Sequence, residues 1–378
     1  MSVFNRSVVD HHSEPMFLGS DTGVARYDDP KHVKFEKLTE KQLSFFWRPE
    51  EVDVSKDRVQ FQKMSENDQG IFTNNLKYQT LLDSVQGRAP AIAFADICSD
   101  VGLETWIQTW TFSETIHSRS YTHIMRNVYA DPAKEFETIV LNPAIMKRAE
   151  AVSKYYDDLD DRKFEYNYIL RNIADHTEEE LARAKYKLMC AIYLCMHSVN
   201  ALEAIRFYVS FACTFNFHKN HEGIMEGNSK IMKFIARDEQ LHLQGTQYIV
   251  KYLQSGAEGP EWQKVTKDCE AEAAKIFLDA AAQEKEWIDY LFRNGTTRGL
   301  NHEMLYNFVD YLTYSRMNDA GLPHDLKPQR HPIPWVRHYL NTEAVQVAPQ
   351  EVELSNYLTG QIDQDVEDDD FQQFNRYL

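Results

Sequence analysis

The chain is short of positive charge: 41 Lys and Arg stand against 58 Asp and Glu, a net charge of -17. That balance argues against nucleic acid and anionic membrane as direct partners, because both need basic surface. Cysteine is sparse and unpaired. Cys98, Cys190, Cys195, Cys213 and Cys269 are odd in number and form no Cys-x-x-Cys. This argues against a disulfide framework or a thiolate zinc site and suits free thiols in a reducing cytoplasm. A signal peptide is not visible, since the first residues are polar and mixed in charge. The longest apolar stretch, 191–217, carries His197, Asn200, Glu203 and Arg206. A bilayer does not readily accept that set, so the stretch reads as a helix buried on most sides. Strand-like alternation and short-period repeats are also missing.

What is present is helical pattern and ample apolar content, 43% of 378 residues. Residues 1–30 have no period and carry Gly19, Gly23 and Pro30, which reads as an arm over the surface. A short helix at 36–46 stops before Pro49 and leaves Trp47 at its end. Ser65 is an N-cap for a helix reaching Gly87. Further helices are expected at 102–129, 180–217, 225–254, 260–292 and 301–321. Residues 133–180 are polar, helical in patches, and read as a long crossover. Pro323, Pro328, Pro332 and Pro334 make a loop before a short helix at Trp335. From residue 341 the chain has nine acidic residues and one basic residue, Arg376, and no helical period. It reads as a mobile tail. The expected fold is all-α, one helical domain over 31–340 between an arm and a tail.

Chemistry concentrates on four carboxylates and two histidines. Glu-x-x-His occurs twice, at Glu114-x-x-His117 and Glu239-x-x-His242. One occurrence is weak, since about one is expected by chance in a chain this rich in Glu and His. Context raises its value. On a helix, Glu114 shares a stripe with Leu103, Ile107 and Trp110, and Glu239 shares one with Met232 and Ile235. Glu203 follows Ile192, Met196 and Val199, and Asp83 follows Phe72, Leu76 and Gln79. Each acid thus points where its helix turns apolar. Isolated buried charge is very costly, so something must neutralise all four. A pair of metal ions is the simplest answer. Asp83 precedes Glu114 by 31 residues and Glu203 precedes Glu239 by 36. Each interval suits a helix hairpin with both ligands at mid-height, the plan of ferritin-like dimetal bundles. Such donors suit iron or manganese. Tyr121 follows His117 by about one turn, close enough to lose an electron to a redox metal.

The segments QLSFFWRPEE (42–51), SETIHSRSY (113–121), NALEAIRF (200–207) and ARDEQLH (236–242) resemble the small subunit of class Ia ribonucleotide reductase. The likeness runs from about Glu14 to the C-terminus and is weakest near 155–185. It implies a ferritin-like di-iron protein, with Asp83, Glu114 and His117 on one iron and Glu203, Glu239 and His242 on the other. The pair would be oxo-bridged when oxidised, with manganese as the alternative. Dioxygen would react there, and Tyr121 would supply an electron and a proton to become a stable radical. Phe207, Phe211 and Ile235 look like the family's apolar shield. Asp238 would orient His117, and Trp47 would join that chain and pass electrons. In the tail, Tyr357 resembles the tyrosine that relays the radical between subunits, with Glu351 assisting. The last residues, from Phe371, would dock on the large subunit, which binds and reduces the ribonucleotide. A cytoplasmic homodimer without a nucleotide site of its own is expected. Two other readings share the ligands: a di-iron oxidase acting alone, and an iron-storage bundle. Trp47 and Tyr357 argue against the first; Tyr121 and the tail argue against the second.

Overall fold

The computed structural model describes residues 6, 8–20 and 23–340. In chain order the helices are α1 (Val33–Ser44), α2 (Asp57–Lys63), α3 (Glu66–Gln86), α4 (Ala89–Phe94), α5 (Val101–Val128), α6 (Pro132–Glu137), α7 (Pro143–Arg171) and α8 (Glu178–Ala201). A π-helical turn, Leu202–Arg206, leads into α9 (Phe207–Asn220). Then follow α10 (Glu226–Gln254), α11 (Pro260–Asp268), α12 (Glu270–Leu291), α13 (His302–Asp319) and α14 (Val336–Leu340). Among the described residues no strand forms; two isolated bridges, Phe17 with Cys98 and Thr297 with Leu300, are the extended pairings. The all-α expectation holds.

Local chemistry sets the long helices. Ser65 caps α3 by accepting from the Asp68 N–H, and Asp100 caps α5 by accepting from the Leu103 N–H at 2.8 Å. Thr177 and Glu180 form a reciprocal capping box at the start of α8. Helices α3, α5, α10 and the α8–π–α9 run make the central bundle. In it α3 packs on α5 and α9, and α10 packs on α5, α8, α9 and the π turn. The approach of α10 to α5 is close. A Cβ at Gly245 would sit 2.1 Å from the buried Trp106 ring, so glycine alone fits there. The run 178–220 has mean hydropathy 1.5 in its most apolar window, but 89% of that window is buried inside the fold. It is a core helix, as its polar residues suggested.

Three expectations need correction. The crossover is not patchy: α7 is a single helix of 29 residues. Its buried apolar residues Ile145, Ala149, Val152, Tyr156 and Leu159 step by four and three, a narrow seam like that of a coiled coil. The run 180–217 is not uniform, because the π turn interrupts it at Glu203. The stretch 260–292 is two helices, parted at Cys269. Within the segment read as an arm, Met16 and Phe17 are buried. The tail, with Tyr357, Glu351 and the docking segment, lies outside the described residues.

Helix α10 borrows its cap. Met225, at the N-cap, has φ 58° and no side-chain hydrogen bond. Asp57 of α2 serves instead, accepting from the Asn228 N–H at 2.7 Å and the Gly227 N–H at 3.4 Å. Burial raises the Asp57 pKa from its ordinary 3.8 to about 6, against the pull of those two N–H groups. A carboxyl raised in the folded state contributes stability that is present below its unfolded pKa. That stability is lost as pH rises through the folded value. Asp57→Asn keeps an acceptor without the charge. It should stabilise the metal-free protein at pH 8 by on the order of 1–2 kcal/mol, with the weaker bond lost. At pH 4 the gain should vanish, as thermal melts at the two pH values will report.

Candidate dimetal centre

Each helix of the bundle delivers donors to one buried point. Helix α3 brings Asp83, α5 brings Glu114 and His117, the π turn brings Glu203, and α10 brings Glu239 and His242. All six side chains are buried. They form two overlapping clusters, Asp83–Glu114–His117–Glu239 and Glu114–Glu203–Glu239–His242. Within each, one donor atom per residue lies within 4.8 Å of the others. The resemblance divided the six ligands three and three, two acids and one histidine to each ion. The structure instead gives Glu114 and Glu239 to both clusters. Glu114 Oε2 lies 3.3 Å from His117 Nδ1 and its Oε1 lies 3.0 Å from His242 Nδ1. Glu239 Oε1 lies 3.2 Å from His117 Nδ1, and its Oε2 is 3.2 Å from His242 Nδ1. Each of these two carboxylates therefore spans both halves of the site.

The electrostatics fit cations. Burial, then the charges of Glu114 and Glu239, push the Asp83 pKa well above the carboxylate range. Burial and the same two neighbours do this to Glu203. Burial works against charged imidazole, yet Asp238, Glu114 and Glu239 together hold His117 well above its ordinary value. His242 is raised to about 9 in the same contest, mainly by Glu114. Both Asp83 oxygens, Glu114 Oε2, Glu203 Oε2, Glu239 Oε1 and His117 Nδ1 have no hydrogen-bond partner. Buried polar atoms are rarely left so, and their convergence is what ligands of a metal pair would show.

Around these donors the predicted neighbours take definite places. Asp238 Oδ2 accepts from the Trp47 indole N–H at 2.9 Å and faces His117 Nε2 at 3.2 Å. A carboxylate can only accept, so His117 donates from Nε2 and turns Nδ1 to the acids. The Trp47 and His117 rings are 6.5 Å apart. Ser113 also reaches Asp238 Oδ2, at 3.4 Å, and Gln42 reaches Ser113. Tyr121 is buried and its hydroxyl has no hydrogen-bond partner of ordinary length. Burial, then the Asp83 carboxylate, pushes that phenol well above its usual pKa. Phe207, Phe211 and Ile235 are fully buried, with the two phenyl rings stacked 5.8 Å apart. Sequence reasoning missed three contacts. The Trp110 indole N–H donates to Glu114 Oε1 at 2.9 Å, which i, i+4 spacing on one helix face could have shown. Gln86 reaches Glu203 and Tyr156 reaches Gln86, and neither left a sequence signal.

The family model for the ribonucleotide reductase small chain matches residues 25–327. The chain belongs to that family. This small chain is 56% identical to the ribonucleoside-diphosphate reductase subunit beta of Enterobacteria phage T4, over the whole of both chains. It is 51% identical to the corresponding subunit of Haemophilus influenzae, over 99% of each. In fold it resembles the ribonucleotide reductase R2 subunit from Clostridium botulinum, at 23% identity and a TM-score of 0.73. That match covers 90% of this chain and 98% of the other. The small chain is thus part of an oxidoreductase, and a large chain is its implied partner. Its ferritin-like bundle holds a buried carboxylate and histidine cluster compatible with two metal ions.

Proposed function

We propose that this small chain generates and stores a tyrosyl radical at Tyr121 and passes it to the large subunit, which reduces ribonucleoside diphosphates. One observation carries the reading. An unpaired, buried phenol stands beside Asp83 at the edge of a site built from four acids and two imidazoles. A buried hydroxyl without a partner costs stability, so its retention calls for a use. When bound, an iron pair supplies the one-electron oxidising power, drawn from dioxygen; manganese suits the same donors.

The chain's own residues do the rest. Asp83 and His117 would hold one ion and Glu203 and His242 the other, with Glu114 and Glu239 placed to serve both. Tyr121 gives up one electron, and its phenolic proton leaves for the neighbouring Asp83 carboxylate. Phe207, Phe211 and Ile235 keep water and reductants from the phenoxyl oxygen. Asp238 locks the His117 tautomer and couples that ring to Trp47, the first step of an outward path for the radical. Tyr357, assisted by Glu351, continues that path in the tail. The segment from Phe371 docks on the large subunit. The working unit is a helical body over 31–340 with an arm before it and this tail after it. A homodimer in the cytoplasm is the expected form, and the exposed, stacked rings of Phe46 and Phe112 offer apolar surface for the contact.

Radical formation and docking separate cleanly. Deleting residues 371–378 should leave the tyrosyl signal at its full intensity in electron paramagnetic resonance after ferrous iron and oxygen. Reductase activity with the large subunit should fall to background. Full activity in the truncated chain would remove the docking role. Absence of any tyrosyl signal in the intact chain would remove the radical.

A further inference from the structure

Glu203 is held less firmly than Glu114. Glu114 accepts a 2.9 Å hydrogen bond from Trp110 on its own helix. Glu203 instead sits in the π turn, where i→i+5 bonding replaces the tighter helical ladder. Outside the donor clusters its contact is Gln86, whose Nε2 lies 3.5 Å from Glu203 Oε1. Gln86 in turn accepts at Oε1 from the Tyr156 hydroxyl at 2.7 Å. Tyr156 belongs to α7, a helix that contributes no residue to either donor cluster.

The polarity of this relay is set by its ends. Gln86 aims its amide N–H at Glu203 Oε1, and a carboxylate bound to a cation can only accept there. Its carbonyl oxygen then faces Tyr156, which must donate. The 2.7 Å bond is the strong one and the 3.5 Å bond the weak one. Tyr156 therefore decides which way the buried amide points, and the amide decides what Glu203 meets. Without the phenol, the amide can turn over and bring oxygen against oxygen. Glu203 Oε2, which has no partner, is the atom whose aim depends on this.

We infer that Tyr156, acting through Gln86, is a positioning residue that sets the Glu203 carboxylate toward the cation place shared with Glu114, Glu239 and His242. The inference rests on the dimetal reading above. It gives the crossover helix a part in the site: α7 carries the phenol, α3 the amide, and the π turn the ligand.

The test is Mn(II) binding to the metal-free, full-length chain, with free Mn(II) counted by electron paramagnetic resonance. Wild type should bind two ions. Tyr156→Phe should weaken one of them by about tenfold or more, the range for outer partners of metal ligands, and leave the other unchanged. Gln86→Leu should do the same. The double variant should be no worse than either single change, because the two residues act in series. A residue needed merely for packing would lower the thermal midpoint without selecting one ion. If Tyr156→Phe fails to fold, Gln86→Leu still carries the expectation of selective loss. Wild-type affinity for both ions in Tyr156→Phe, or additive losses in the double variant, overturns the inference. A wild-type chain that binds no pair of ions overturns the dimetal reading, and the inference with it.

Discussion

Tyr121→Phe should lose the tyrosyl signal entirely and, with the large subunit, reduce ribonucleotides no faster than background. Its metal sites should fill normally. Each donor cluster already has four Asp, Glu and His donors, and removing the Tyr121 oxygen subtracts none of them. The protein should be at least as stable, with a gain of up to about 1–3 kcal/mol, because the substitution removes a buried hydroxyl that has no hydrogen-bond partner of ordinary length. Few substitutions combine full loss of activity with an intact fold and an intact metal complement. Spectra, metal counts and melts of the one variant therefore separate a radical role from a structural one. Retained activity in Tyr121→Phe would place the oxidised residue elsewhere.

Glu239→Ala should empty both metal places rather than one. Glu239 reaches His117 with one oxygen and His242 with the other, and Glu114 does the same from the facing helix. Removing an outer partner of a ligand already costs about 10–100-fold in affinity, so losing a shared ligand should cost at least about 100-fold for each ion. Asp83→Ala should behave differently. Asp83 belongs to one cluster, and one ion should remain. Metal analysis of the two variants after identical loading and desalting checks the contrast. Equal losses in both would mean that Glu239 does not bridge.

Much of this was legible in the sequence because the decisive chemistry is local. Glu114 and His117, like Glu239 and His242, are three residues apart, and a helix puts such pairs on one face. Ser65 announced the start of α3 through the cap chemistry that the structure shows. Asp83 and Glu203 could be chosen because each falls on an otherwise apolar stripe. What could not be read depends on how helices meet. That Glu114 and Glu239 face both histidines follows from the crossing of α5 and α10, not from either helix alone. The π turn at Glu203 is made by no proline or glycine, so composition gives no sign of it. Gln86 and Tyr156 are joined across 70 residues, and each looks ordinary in its own helix. Helix α7 was hidden by its many charges. Its buried apolar seam is too narrow to stand out against a polar surround.

Iron-edge anomalous diffraction from crystals of the ferrous-loaded chain tests the central claim most directly. Two peaks are expected, each within about 2–2.3 Å of an oxygen of both Glu114 and Glu239. One should also touch Asp83 and His117, the other Glu203 and His242. A single peak, or peaks that leave Glu114 and Glu239 unshared, would contradict the account.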